Sequence, residues 1–152
     1  RSTGVEMLAS WTPRALRGAT FSGDATLQRI RVYDRTIAGN ANNERRAEHN
    51  PERRASLAVT SPTVLGVRGS VMARHIGAQY CQHPDLGRQV ELKAQTIGDA
   101  AITRTFALRT RGLLQRLTAL LAIDNVGDRA AFDQCGLPQP GRTLRVGLTL
   151  GS

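Results

Sequence analysis

Apolar and polar residues take turns along most of this chain, and that period of two constrains its fold more than any other feature. Successive side chains of an extended strand point to opposite faces, so alternation marks a ribbon with two unlike sides. It is clearest near the end, where Leu144, Val146, Leu148 and Leu150 share one parity and Thr143, Arg145, Gly147 and Thr149 the other. Near the start, Val5, Met7, Ala9 and Trp11 alternate with Glu6, Leu8 and Ser10. Val67, Val71 and Ala73 oppose Arg68, Ser70 and Arg74, while Ile102, Phe106 and Leu108 share a parity that also takes in Arg104. The stretch 21–33 alternates less cleanly, which predicts a bulge or a change of register there. Residues 112–125 read two ways. Leu113, Leu114, Leu117, Leu120 and Leu121 fit a helix ended by Asn125 and Gly127, whereas Leu117, Ala119, Leu121 and Ile123 fit one face of a strand.

The connectors carry a second pattern. Pro13, Pro62 and Gly112 mark short ones, whereas 34–52, 81–93 and 126–142 are long and polar. Short and long alternate strictly between about seven strands. A soluble sandwich has no reason to sort its loops this way, but a barrel in an outer membrane does, with short turns on one side and longer loops outside. The expected fold is therefore all-β: an antiparallel meander of about seven strands, part of a transmembrane β-barrel. The inferred strands, roughly 9–17 residues, suit tilted membrane strands. Arg29, Arg31, Arg68, Arg74, Arg104 and Arg145 are then expected to face the lumen or the interfaces, because an arginine at the lipid midplane costs about 2–4 kcal/mol. An odd set of strands leaves two open edges, so such a chain is expected to belong to something larger.

Length and charge narrow the function. The 152 residues suit one domain, and 21 Lys+Arg against 12 Asp+Glu give a formal charge of +9. Nearly all of that excess is arginine, since Lys93 is the only lysine, and the arginines are scattered rather than gathered. No RRM or zinc-finger signature accompanies them, and Trp11, Phe21, Tyr33, Tyr80, Phe106 and Phe132 form no base-stacking cluster, so no nucleic-acid partner is expected. The apolar run 117–123 is far short of the roughly 20 residues of a membrane helix. No Gly-x-Ser-x-Gly, Walker loop, His-Glu-x-x-His or paired acids occur, so no catalytic residue, enzyme activity or cofactor is expected. His75, Cys81 and His83 match no closed zinc pattern. Asp124 and Asp128 flank Asn125 without the fixed Gly and distal Glu of a calcium loop, and read as a strand end and its turn. Cys81 and Cys135 both fall in long connectors, hence on one side; a disulfide between them suits an oxidising envelope compartment, with two separate thiols as the alternative. The opening Arg-Ser-Thr-Gly-Val-Glu, without an initiator Met, predicts a processed product or a piece of a longer protein.

One family shares these strings. Ala122-Ile123-Asp124-Asn125-Val126-Gly127-Asp128-Arg129 resembles the V-D-N-L-F-D-R/K segment that ends the next-to-last barrel strand of TonB-dependent outer-membrane receptors. Pro138-Gln139-Pro140-Gly141-Arg142-Thr143-Leu144 is similar to the P-x-P-G-R-T-F/L opening of their closing strand. Leu92-Lys93-Ala94-Gln95-Thr96-Ile97-Gly98-Asp99 resembles L-P-A-Y-T-x-x-D, with Lys93 and Gln95 where Pro and Tyr are usual. Residues 48–57 resemble P-x-H-R-A-S-L, and Ser2-Thr3-Gly4-Val5-Glu6 resembles S-x-G-V/I-E. The five strings stand in family order and cover nearly the whole chain.

The resemblance implies the last third of a barrel of about 22 strands. It makes 113–125 a strand, gives Asp124, Asn125 and Asp128 to a strand end, and gives Pro140, Gly141, Arg142, Leu144, Val146, Leu148 and Leu150 to the closing strand. It further implies energised uptake of a scarce nutrient, usually a ferric siderophore, across the outer membrane of a Gram-negative bacterium. The partners it implies are outer-membrane lipid and lipopolysaccharide around the wall and a metal-chelate or similar small ligand at the loops, near His49, His83 and Asp85. The TonB complex would be met through a plug domain that this sequence does not contain. Two rival expectations stand beside it: a soluble basic all-β domain that binds nucleic acid, and a non-functional receptor remnant.

Overall fold

Alternating segments joined by short links pair most readily with their sequence neighbours, since nearby ends cost little loop-closure entropy. The fold follows that rule throughout. The computed structural model describes residues 1–33, 44–83, 85–108 and 115–151, with backbone alone at 32–33, 44–46 and 133–134. Its main strands are β1 (Ser2–Trp11), β2 (Thr20–Tyr33), β4 (Arg53–Thr60), β5 (Val67–Ile76), β8 (Gln95–Ala107), β9 (Arg116–Asp124) and β12 (Thr143–Gly151). They form one antiparallel meander in the order β1-β2-β4-β5-β8-β9-β12, and a short β3 (Glu44–Arg46) extends β2 alone. The two ends of that path, β1 and β12, do not pair with each other.

One expectation is met on one edge only, and two change on contact with the structure. The stretch 21–33 keeps unbroken register with β1, from Ser2↔Ile30 to Trp11↔Phe21, and with β4, from Thr20↔Thr60 to Leu27↔Arg53; the expected change of register falls on the second edge, where pairing passes from Leu27↔Arg53 to Arg31↔Arg46. The residue type changes there too, as the apolar parity of Phe21, Ala25 and Leu27 continues into Arg29 and Arg31. The helical reading of 112–125 is overturned, because Arg116–Asp124 is β9, paired on both sides. Gly112, Leu113 and Leu114 lie outside the described residues, as does 34–43 of the first long connector. Nor are the other long connectors plain loops. One holds the hairpin β6 (Gln79–Gln82) and β7 (Gln89–Leu92), the other the hairpin β10 (Phe132–Gln134) and β11 (Leu137–Pro138).

The short connectors are tight. Between β4 and β5 a Val64–Val67 bridge closes on Leu65 and Gly66, both at positive φ (51° and 77°), as in the mirror-image turns that suit twisted hairpins. Gly66 is required there twice over, since a Cβ would also lie 2.5 Å from the Thr105 carbonyl oxygen. Between β8 and β9, Leu108 N–H donates to Gln115 C=O at 2.8 Å.

A sheet this regular usually covers a core on one side, yet here very little is covered. Among the described residues the buried hydrophobic side chains are Ala19, Cys81, Ile97, Ala122 and Ala131. The accessible surface is 11586 Å², against about 7,500 Å² for a compact globule of this mass.

Candidate functional site

Register turns the alternation of single strands into two faces of a whole sheet. Trp11, Phe21, Val59, Val71, Ala100, Ile123 and Leu144 are successive cross-strand partners, one from each main strand. Gly69, Ile102, Leu121 and Val146 form the next row, and Val67, Arg104, Ala119 and Leu148 the one after. Among the described residues, no other element roofs these rows. Val146 is 75% exposed, Leu148 72% and Trp11 64%. No Asp or Glu stands on this parity anywhere in the seven strands. A shallow hollow of about 410 Å³ on this face is lined by Val71, Ala100, Ile102 and Leu121, where small Gly69 and Ala100 leave room.

The strand acids all stand on the opposite face, and several are partnered there. Arg74 Nη2 meets Asp99 Oδ2 at 3.1 Å, Arg145 Nη2 donates to Asp124 Oδ1 at 2.7 Å, and Ser56 donates to Asp24. Thr105 and Thr118 hydroxyls are 3.2 Å apart on the same side. Of the arginines marked in the sequence, Arg68, Arg74 and Arg145 stand on this polar face. Arg29, Arg31 and Arg104 do not: their parity is that of the apolar face. Arg104 lies 4.8 Å from the Phe106 ring centroid, a cation over an aromatic face. Trp11 and Phe21, near the end with the short turns, pack with ring centroids 5.6 Å apart.

At the other end the long connectors are knitted into a cap. Cys81 and Cys135 are disulfide-bonded with their Cα atoms 5.9 Å apart, and Cys81 is fully buried. Two glutamines reinforce the joint. Gln95 treats Phe132 as a strand partner would, its Oε1 accepting Phe132 N–H at 3.0 Å and its Nε2 donating to Phe132 C=O at 3.1 Å. Gln79 Nε2 donates to the same carbonyl at 3.2 Å. From the first connector, His49 N–H donates to Tyr80 C=O at 2.9 Å, and Pro51 is fully buried. A cleft of about 300 Å³ opens where the first two connectors meet the sheet, lined by Gln28, Asn50, Arg53, His75 and Tyr80 among others. The glutamine joint left no trace in the sequence pattern, because positions 79, 95 and 132 meet only through the fold.

The residues singled out in the sequence fall into five places. Asp124, Asn125 and Asp128 form a corner at the end of β9. Asn125 sits at φ 52° and exchanges side-chain hydrogen bonds with Arg129, donating to its C=O at 2.8 Å and accepting its N–H at 3.0 Å. Asn125 N–H donates to Asp99 Oδ1 at 2.9 Å, and Asp128 Oδ1 accepts Arg142 N–H at 2.8 Å. The corner thus ties β8, β9 and the approach to β12 together. Pro140, Gly141 and Arg142 make up that approach, and a Cβ at Gly141 would lie 2.7 Å from Asp128 Oδ1. Leu144, Val146, Leu148 and Leu150 lie on the apolar face. His83 Nδ1 accepts Asp85 N–H at 3.2 Å, which closes a local turn. Cys81 is spent in the disulfide, and among the described residues no three His, Cys, Asp or Glu side chains gather to hold a metal ion.

No protein family, curated protein or solved structure matches the chain. No helix among the described residues is long and apolar enough to cross a membrane, which says nothing of strands.

Proposed function

We propose that this chain is a wall segment of a transmembrane β-barrel in the outer membrane of a Gram-negative bacterium, from a TonB-dependent receptor that takes up a scarce nutrient such as a ferric siderophore. The observation that carries the membrane reading is the uncovered apolar face, free of acids across all seven strands and backed by a polar face. In water, each Leu or Val left exposed forgoes about 1.5–3 kcal/mol of burial, while in lipid the same face is at home. Four of the seven main strands have 9 or 10 residues, within the 9–11 that span a bilayer, while β4 has 8, β8 13 and β2 14. Open edges at β1 and β12 call for further strands, because hydrocarbon offers backbone groups no partner. The receptor assignment rests on the five sequence strings, and the capped connectors would face outward, where a ligand is first met.

Trp11 gives a direct test, being the only tryptophan and lying on the apolar face. Reconstituted into vesicles whose acyl chains carry bromine, the chain should lose most of its tryptophan fluorescence. Emission unchanged from that in unbrominated vesicles would overturn the membrane reading. Receptor descent is tested in the gene: further barrel strands and a plug encoded upstream support it, and a complete frame without them refutes it.

A further inference from the structure

The apolar face carries cations at one end only in quantity, and their placement has a chemical meaning. Toward the connector cap, the parity of Val5, Met7, Ala25 and Leu27 runs into Arg29, Arg31 and Arg53. His75 holds the same parity on β5, with Nδ1 2.9 Å from Thr96 Oγ1. Toward the short turns, Arg104 is the one strand cation of this face. Leu27 stands opposite Arg53 on one side and Val5 on the other, and Arg29 stands opposite Thr3. These residues border a hollow of about 430 Å³ with an apolar floor of Val5 and Leu27 and a rim of Thr3, Arg29 and Arg53. Gly4, Gln28 and Glu52, whose parity belongs to the polar face, complete its outline. Arg29 and Arg53 are both exposed, and neither makes an ion pair among the described residues.

We infer that this hollow is a binding site for a phosphorylated lipid, with Arg29 and Arg53 holding the phosphate and Val5 and Leu27 receiving the start of the acyl chains. The inference rests on the membrane reading above. Two guanidinium groups offer paired N–H donors that match phosphate oxygens, and the Thr3 hydroxyl adds a donor. A free inorganic anion would have no use for the apolar floor, which continues without interruption into Met7, Ala25 and Ala55. Lipid chains have that use. The cap-side position sets the phosphate at the depth where head groups lie when the apolar strip is in hydrocarbon.

The test titrates the whole chain, in neutral detergent micelles, with dioleoyl phosphatidic acid and with dioleoyl phosphatidylcholine, counting bound lipids by native mass spectrometry. Phosphatidic acid should bind about tenfold more tightly. The R29Q/R53Q variant, which keeps most of each side-chain stem, should lose that preference, while R68A on the opposite face should keep it within about twofold. An R29K/R53K variant, retaining charge but not the planar fork, should fall between. Equal binding of the two lipids, or an unchanged preference in R29Q/R53Q, would overturn the site. Displacement of phosphatidic acid by millimolar inorganic phosphate would overturn the lipid as occupant. Equal binding of the two lipids by the unaltered chain, with Trp11 still quenched by brominated chains, sinks this inference alone, whereas unquenched Trp11 removes the membrane reading beneath it.

Discussion

At the scale of single residues, the structure sets local strain against placement. Leu65 is 92% exposed and sits at φ 51°, a conformation that costs a branched side chain about 1–2 kcal/mol and that Asn tolerates far better. Leu65→Asn should therefore raise stability by about 0.5–1 kcal/mol, read as a higher urea midpoint of the folded chain in micelles. A lower midpoint would mean that the leucine makes a contact worth more than the strain. Gln95 shows the opposite economy. Its amide supplies both a donor and an acceptor to Phe132, so a polar side chain stitches the cap as a strand partner would. The corner at Asn125 and Asp128 is legible in the sequence as turn chemistry. Its reach to Asp99 and Arg142 is not, because those bonds are set by register between strands.

At the scale of elements, alternation decides strands and register decides faces. The period of two marked β1, β5, β8 and β12 with little ambiguity, since each keeps one apolar parity for most of its length. In β9, leucines at 117, 120 and 121 satisfy both periods, and only pairing with β8 and β12 selects the strand. The hairpins β6–β7 and β10–β11 leave no mark in the alternation because they are short and held by a disulfide and glutamine bonds, not by a hydrophobic stripe. The arginines looked scattered for a related reason: Arg29 and Arg53 are neighbours only through the β2–β4 register. The two faces of β12 should respond differently to charge. On the proposed reading, Val146→Arg should destabilise the chain in vesicles by about 2–4 kcal/mol, and Thr149→Arg, on the polar face, by less than about 1 kcal/mol. Urea titration followed by Trp11 emission measures both, and equal losses would argue against a lipid-facing side.

At the scale of the molecule, an uncovered apolar face and two unpaired edges predict behaviour in solution. Without detergent the chain should self-associate, and with detergent it should disperse while keeping its far-ultraviolet β signal. Size exclusion with light scattering checks this, and a dispersed monomer in plain buffer would contradict it. The disulfide has a consequence of another kind. Cys81 and Cys135 are 54 residues apart, and β8 and β9 lie between them, so the bond closes a covalent ring around one complete hairpin. On the membrane reading, a chain oxidised before it enters a bilayer must carry that hairpin across as a lasso, with both flanking segments translocating together. A chain oxidised afterwards can thread them one at a time, so the order of oxidation and insertion chooses between two assembly routes.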